Sequence, residues 1–209
     1  MSSTAHQETF LAVDFGGTGT AVGVVNRAGQ ILGRTEFPTR DFVKLGLPEV
    51  FVHEVVSRAK ALVAELGIPS PSRLGIGAPG GNFFTGEVCD SPNLAWRGST
   101  PLAKLLAHVS GWEVRLENDA NASALGESLF GVGPEIRDFV AVTLGTGVGS
   151  GIFVHGQLLR GADGFGGELG HFNIVPDGRH CPCGGAGCLE TYASATGLIR
   201  TVLTGIRNG

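Results

Sequence analysis

Hydrophobic and polar positions change their period several times along this chain, and each change marks an element. Residues 9–15, TFLAVDF, form an almost unbroken apolar run ending in an acid and then Phe15, the pattern of a buried strand. Beyond the glycine-rich GGTG, the runs TAVGVVN and QILGRTEF, parted by RAG, predict a hairpin. From Pro48 the period lengthens. Phe51, Val55, Ala59, Leu62 and Leu66 recur at helical spacing, Pro48 suits a first helical position, and Gly67 followed by Pro69 ends the element. RLGIGAPG, 73–80, reads as a second buried strand running into a loop. A short helix from Pro101 to about Val109, a strand WEVRLEN and a helix ANASALGESLFG follow. This alternation predicts an α/β layer around a mostly parallel core sheet.

At Asp138 the opening pattern returns: DFVAVTLG as a strand, TGVG as a glycine loop, and SGIFVHGQLLRG as two strands around His155-Gly156. A repeat of strand, glycine loop and hairpin predicts two related lobes, 1–137 and 138–209, with the glycine loops facing each other across a cleft. A helix from about Leu189, with Tyr192, Ala193, Thr196, Ile199 and Leu203 on one face, closes the chain.

Composition narrows the class. Of 209 residues 42% are hydrophobic and 16% charged, which describes a folded chain, and 35 are glycine, a share more than twice the usual ~7%. The glycines gather at strand ends, where backbone turns sharply or approaches a ligand closely. Fifteen basic against nineteen acidic residues give a net charge of −4 with no basic run, which argues against nucleic acid as a partner. No cationic leader and no long apolar stretch appears, so no membrane partner is expected and the cytoplasm is the expected compartment.

Two glycine loops with hydroxyl neighbours, Gly16-Gly17-Thr18 and Gly145-Thr146-Gly147, each follow a buried strand. Their amides can point at a phosphate without obstruction, but a simple tight turn explains each loop alone equally well. Asp14, at the end of the strand before the first loop, could hold magnesium through water, and the set as a whole points to a nucleotide. Asn118 and Asp119 stand where a strand meets a helix. A carboxylate there could act as general base on a hydroxyl, or simply cap the helix.

HCPCGGAGCLE, 180–190, packs Cys181, Cys183 and Cys188 into one glycine-rich loop. A reducing compartment disfavours a disulfide, and Cys-x-Cys is too close for relaxed bridging. Three thiolates need one more ligand for a closed tetrahedral zinc site, and either His171 or His180 could supply it.

The motifs DFGGTGT, GAPGG, SPNLAW, ENDANASALGE, LGTGVGSGI, GELGH and CPCGGAGCLE, in that order, resemble the ROK family of sugar kinases and repressors, above all its bacterial glucokinase members. The last motif with His171 is the family's own signature, whereas the phosphate loops belong to the wider actin-like ATPase class. The resemblance implies an actin-like, ribonuclease H-like two-lobed fold whose second lobe is incomplete here. It implies zinc on His171, Cys181, Cys183 and Cys188, which favours His171 over His180. It implies a hexose held by Gly80, Gly81, Asn93, Asn118, Asp119, Glu168, His171 and Glu190, with Asp119 as the base for the 6-hydroxyl. ATP phosphates would rest on Gly16, Gly17, Thr18, Gly145, Thr146 and Gly147, with Asp14 near magnesium.

Three departures from the family pattern qualify the expected activity. Gly19 stands where a lysine is common, removing one cation beside the phosphates. The family continues beyond this chain's last helix through a part that supplies the adenosine pocket. Only about ten residues precede the first strand, too few for the helix-turn-helix of the family's repressors. The expected function is therefore a glucokinase. An N-acetylmannosamine or other hexose kinase, or a non-catalytic sugar-binding regulatory fragment, is the alternative. The apolar face of the last helix suggests a homodimer.

Overall fold

Leu11, Val13 and Phe15 alternate inward along β1 (Thr9–Phe15), and Thr20, Val22, Val24 and Asn26 do so along β2 (Gly19–Asn26). These strands and their neighbours form a sheet in a computed structural model that describes residues 8–43, 46–89, 96, 98–132 and 135–207. The chain divides into two compact units, residues 1–119 and 120–209.

In the first unit the sheet runs β3 (Ile31–Pro38), β2, β1, β4 (Arg73–Ala78), β8 (Glu113–Asn118). The pairs β1/β4 and β4/β8 are parallel, and β1/β2 and β2/β3 are antiparallel. The core sheet is thus half parallel rather than mostly so, because the two strands after the first glycine loop fold back as hairpins. The short α1 (Arg40–Val43) follows β3, and α2 (Pro48–Leu66) packs on β2 and β3. Phe51, Val52, Val55, Val56, Ala59, Leu62 and Val63 form the buried face of α2. Gly67, at φ 62°, ends it by donating to Ala64 O, so the stop signal read in the sequence is a left-handed cap.

Between β4 and α3 (Leu102–Ser110) lie three strands too short for any period to betray. They are β5 (Gly81–Asn82), β6 (Glu87–Cys89) and β7 (Ser99–Thr100), and they make a small antiparallel sheet. Phe15, Phe51 and Trp96 meet in the core with ring centroids 4.4–5.5 Å apart.

The second unit carries α4 (Asp119–Phe130) and an antiparallel sheet ordered β11 (Gln157–Leu158), β10 (Val148–Val154), β9 (Phe139–Leu144). The sequence repeat places the boundary at 137/138, whereas packing places it at 119/120. The reason lies in β10. A Cβ on Gly149 would lie 2.7 Å from Ala120 Cβ, and one on Gly151 2.4 Å from Ala124 Cβ, so small residues on both sides bring α4 onto this strand.

The closing helix is also two helices, α5 (Glu190–Ala193) and α6 (Ala195–Arg207). Ser194 is extended at ψ 165° and buried, and its Oγ accepts from Gly197 N at 3.0 Å, capping α6 and breaking the run. Tyr192 and Ile199 therefore do not share a continuous helix face. Leu198, Ile199, Val202, Leu203 and Ile206 of α6 are exposed, as are Val140, Val142 and Leu144 of β9. Among the described residues no helix is long and apolar enough to cross a membrane.

Candidate functional site

In the first unit the parallel strands deliver their chemistry to one edge. Asp14 pairs in register with Gly77, and Ala78 with Asn118, so the carboxyl ends of β1, β4 and β8 bring Asp14, the Gly80–Gly81 turn, Asn118 and Asp119 to the same edge of the sheet. That edge is where open α/β sheets bind ligands. Gly81 lies against the end of β8, since a Cβ there would sit 2.6 Å from Glu117 O. Asn118 N donates to Glu117 Oε1 at 3.1 Å, and Asp119 is the first residue of α4. Asn93 lies outside the described residues.

The first glycine loop, Gly16 to Gly19, closes on itself through Gly16 N donating to Gly19 O at 3.1 Å. Its outer face is held by Thr39, whose N donates to Thr18 O at 3.0 Å and whose Oγ1 donates to Gly16 O at 2.7 Å. Because Thr39 Oγ1 spends its proton there, the buried Thr20 hydroxyl, 2.7 Å away, donates to it. Gly17, Thr18 and Asp14 stay exposed.

In the second unit, Gly145 N donates to Gly147 O at 3.0 Å, forming the turn that the repeat predicts. Its carbonyls are anchored from the last helix, Ala195 N to Gly145 O at 2.9 Å and Thr196 Oγ1 to Thr146 O at 2.9 Å. Val148 N, just past the turn, donates to Glu190 Oε2 at 3.0 Å. Glu168 precedes, and His171 ends, a single 3-10 turn, Leu169–His171. That turn lies so close to β10 that a Cβ on Gly170 would meet Val148 O at 2.0 Å. The buried Ser150 of β10 completes the attachment, its Oγ donating to Gly167 O and accepting from Leu169 N at 3.2 Å.

His171, Cys181, Cys183 and Cys188 come together with all four ligand atoms within 4.8 Å of one another. The cysteines are free. Zinc bonds of about 2.3 Å to sulfur and 2.1 Å to nitrogen, at tetrahedral angles, separate two sulfurs by about 3.8 Å and a sulfur and a nitrogen by about 3.6 Å. Cys183 and Cys188 Sγ are 3.8 Å apart, and Cys181 Sγ and His171 Nδ1 3.7 Å, so the donor set fits that ion. The other ring nitrogen, Nε2, is 4.0 Å from Glu168 Oε2. His180 takes part instead in a backbone bridge with Ala186 and is not among the four. Burial, seconded by the neighbouring thiols, pushes the Cys181 thiol up to about 12. The Gly185 backbone, with Cys181, draws the Cys183 thiol down. Three crowded thiols of this kind favour a cation that can replace their protons.

Arg179 fastens this loop to the helices. Its guanidinium donates to Thr191 O at 2.7 Å, Gly197 O at 3.1 Å and Thr201 Oγ1 at 2.8 Å, and it lies 4.6 Å over the Tyr192 ring. Thr39, Ser150 and Arg179 are the residues that sequence reasoning missed. Ser150, a polar residue inside an apolar strand, carried a faint signal, whereas the other two resemble ordinary loop residues until their partners are seen.

A family model described as the ROK family matches residues 10–208. A glucokinase of Thermotoga maritima is 43% identical over 200 residues, covering 94% of this chain and 61% of that protein. A crystal structure of a ROK family glucokinase from Streptomyces griseus, in complex with glucose and AMPPNP, superposes with a TM-score of 0.77 at 38% identity. It covers 92% of this chain and 59% of that one. A ROK family transcriptional regulator, a homologue of the E. coli MLC protein, superposes with a TM-score of 0.84 at 28% identity, covering 98% of this chain and 51% of that one. The chain thus spans about three fifths of the glucokinases it matches.

Proposed function

The chain belongs to the ROK family, with its actin-like α/β fold, and from that premise we propose that it phosphorylates a hexose, glucose foremost, at the 6-hydroxyl with ATP as donor. The observation that carries this reading is Asp119 at the head of α4, beside Asn118, on the sheet edge that also bears the first glycine loop. Asp119 takes the hydroxyl proton as O6 attacks the γ-phosphorus. The new O6–P bond forms as the bond to the bridging oxygen breaks, and ADP leaves with that electron pair. Such a transfer needs little beyond positioning, charge neutralisation and one proton acceptor.

The remaining roles follow the motifs. Gly80, Gly81, Asn93, Asn118, Glu168, His171 and Glu190 hold the sugar, and Gly16, Gly17, Thr18, Gly145, Thr146 and Gly147 hold the phosphates. Asp14, exposed at the end of β1, would hold Mg2+ through water, and that ion supplies charge neutralisation on the phosphates. His171, Cys181, Cys183 and Cys188 would hold structural Zn2+, which fastens the loop and has no open position for chemistry. With Nδ1 turned to the thiols, His171 keeps Nε2 on the side of Glu168, which supports the same histidine serving metal and sugar. Free thiols in this loop agree with a cytoplasmic setting.

The test is sugar-dependent ADP release across glucose, mannose and N-acetylmannosamine. Asp119→Ala is expected to lower kcat by about 10²–10⁴ while glucose binding, measured by calorimetry, survives. Unchanged turnover in that variant overturns the assignment of the base.

A second reading, a sugar-responsive regulator without catalysis, is favoured by the likeness to the MLC homologue. It predicts glucose binding without ADP release and without tight AMPPNP binding. In either reading the exposed apolar faces of α6 and β9 support a homodimer, which sedimentation would register as twice the 21.5 kDa chain mass.

A further inference from the structure

Glu190 stands two residues past the metal-loop Cys188, yet its carboxylate reaches the amide of Val148, 42 residues earlier in the chain. The same oxygen, Oε2, lies 2.3 Å from where a Cβ on Gly147 would be. Two separate features of the glycine loop are therefore shaped around one carboxylate: an amide that donates to it, and a residue without a side chain beside it. The backbone on either side of Glu190 is fixed. Leu189 N donates to Phe172 O at 2.9 Å and Thr191 N to Cys188 O at 3.0 Å, while Ala195 and Thr196 grip the carbonyls of Gly145 and Thr146.

We propose that Glu190 is a positioning residue for the second glycine loop, linking its conformation both to the metal loop and to any polyol that engages the carboxylate. The link stands on the geometry, and only the identity of the ligands rests on the sugar-kinase reading. A carboxylate beside a phosphate cradle opposes an anion and occupies a donor that the anion would use. Hydroxyl groups that draw Glu190 away release the Val148 N–H and open the space next to Gly147. Polyol binding therefore prepares the loop for phosphate. By linkage, phosphate strengthens polyol binding by the same factor. Gly147 on this account is a glycine because of Glu190, before any phosphate arrives.

The experiment follows amide hydrogen exchange at Val148 and its neighbours in the full chain, with zinc content measured in parallel. Glu190→Ala is expected to speed exchange at Val148 about tenfold or more while zinc stays bound. Gly147→Ala displaces the same flexible carboxylate and is expected to do likewise, and the double variant to exchange no faster than either single one. Glu190→Gln keeps an acceptor at that place and is expected to restore protection. Zinc removal by a chelator is expected to loosen 145–148 together with 180–188, and saturating glucose to speed Val148 exchange in the parent but not in Glu190→Ala. Unchanged exchange in Glu190→Ala, or additive effects in the double variant, overturns the proposal, as does glucose that binds without moving Val148. Failure of the kinase reading looks different: no glucose bound and no ADP released, with the exchange pattern of the variants intact.

Discussion

His171 Nδ1 stands 3.7 Å from Cys181 Sγ, while Nε2 of the same ring faces Glu168 at 4.0 Å. One imidazole thus joins the thiol cluster to the carboxylate proposed to bind sugar, and its orientation decides which nitrogen serves which. Protein purified under reducing conditions is expected to carry about one zinc per chain, and Cys183→Ser or His171→Ala to retain on the order of a tenth of it or less. Elemental analysis by mass spectrometry checks this. Parent protein free of zinc would sink the metal site.

Arg179 offers a test of how the metal loop is held to the helices. Arg179→Gln removes a charged donor from three acceptors and from the Tyr192 ring, and is expected to destabilise the protein by about 3 kcal/mol in urea unfolding. Lysine should restore little, because only the planar guanidinium spans all three acceptors.

Thr39 makes the corresponding prediction for the first glycine loop. Thr39→Val removes the hydroxyl that donates to Gly16 O and leaves the buried Thr20 hydroxyl without its partner, which costs about 1–3 kcal/mol. Thr39→Ser keeps both bonds. Nucleotide affinity, followed by calorimetry, is expected to fall in the valine variant and to recover in the serine variant.

The packing of α4 on β10 can be probed by exchanging volume across the contact. Gly151→Ala forces a methyl to within 2.4 Å of Ala124 Cβ and is expected to destabilise by about 1–3 kcal/mol. Ala124→Gly in the same chain should recover part of that loss. The recovery is partial because the backbone at Ala120 and Asn121 also crowds the site, at 3.1 and 3.3 Å. Thermal denaturation of the two singles and the double measures the coupling.

The sequence alone determined the elements whose burial follows a period. The alternation in β1 and β2, the helical spacing from Phe51 to Leu62, and the Gly67 stop all lie within one element, where local pattern and local geometry coincide. It also supplied the candidate ligand types, three thiols in one loop with two histidines nearby, and folding brought His171 rather than His180 to the thiols. Tertiary structure decided what depends on partners distant in the chain. Ser194 breaks a helix that the apolar spacing continues, because its hydroxyl finds Gly197 N. Gly149 and Gly151 read as parts of a phosphate loop and its strand, yet their lack of side chains lets α4 approach, which moves the unit boundary to 119/120. Glu190 reads as a sugar ligand, and only folding brings it to Val148. A period reports which face of an element is buried. It carries no information on which atom of another element lies against that face, and the proposed linkage between the metal loop and the glycine loop is made of such contacts.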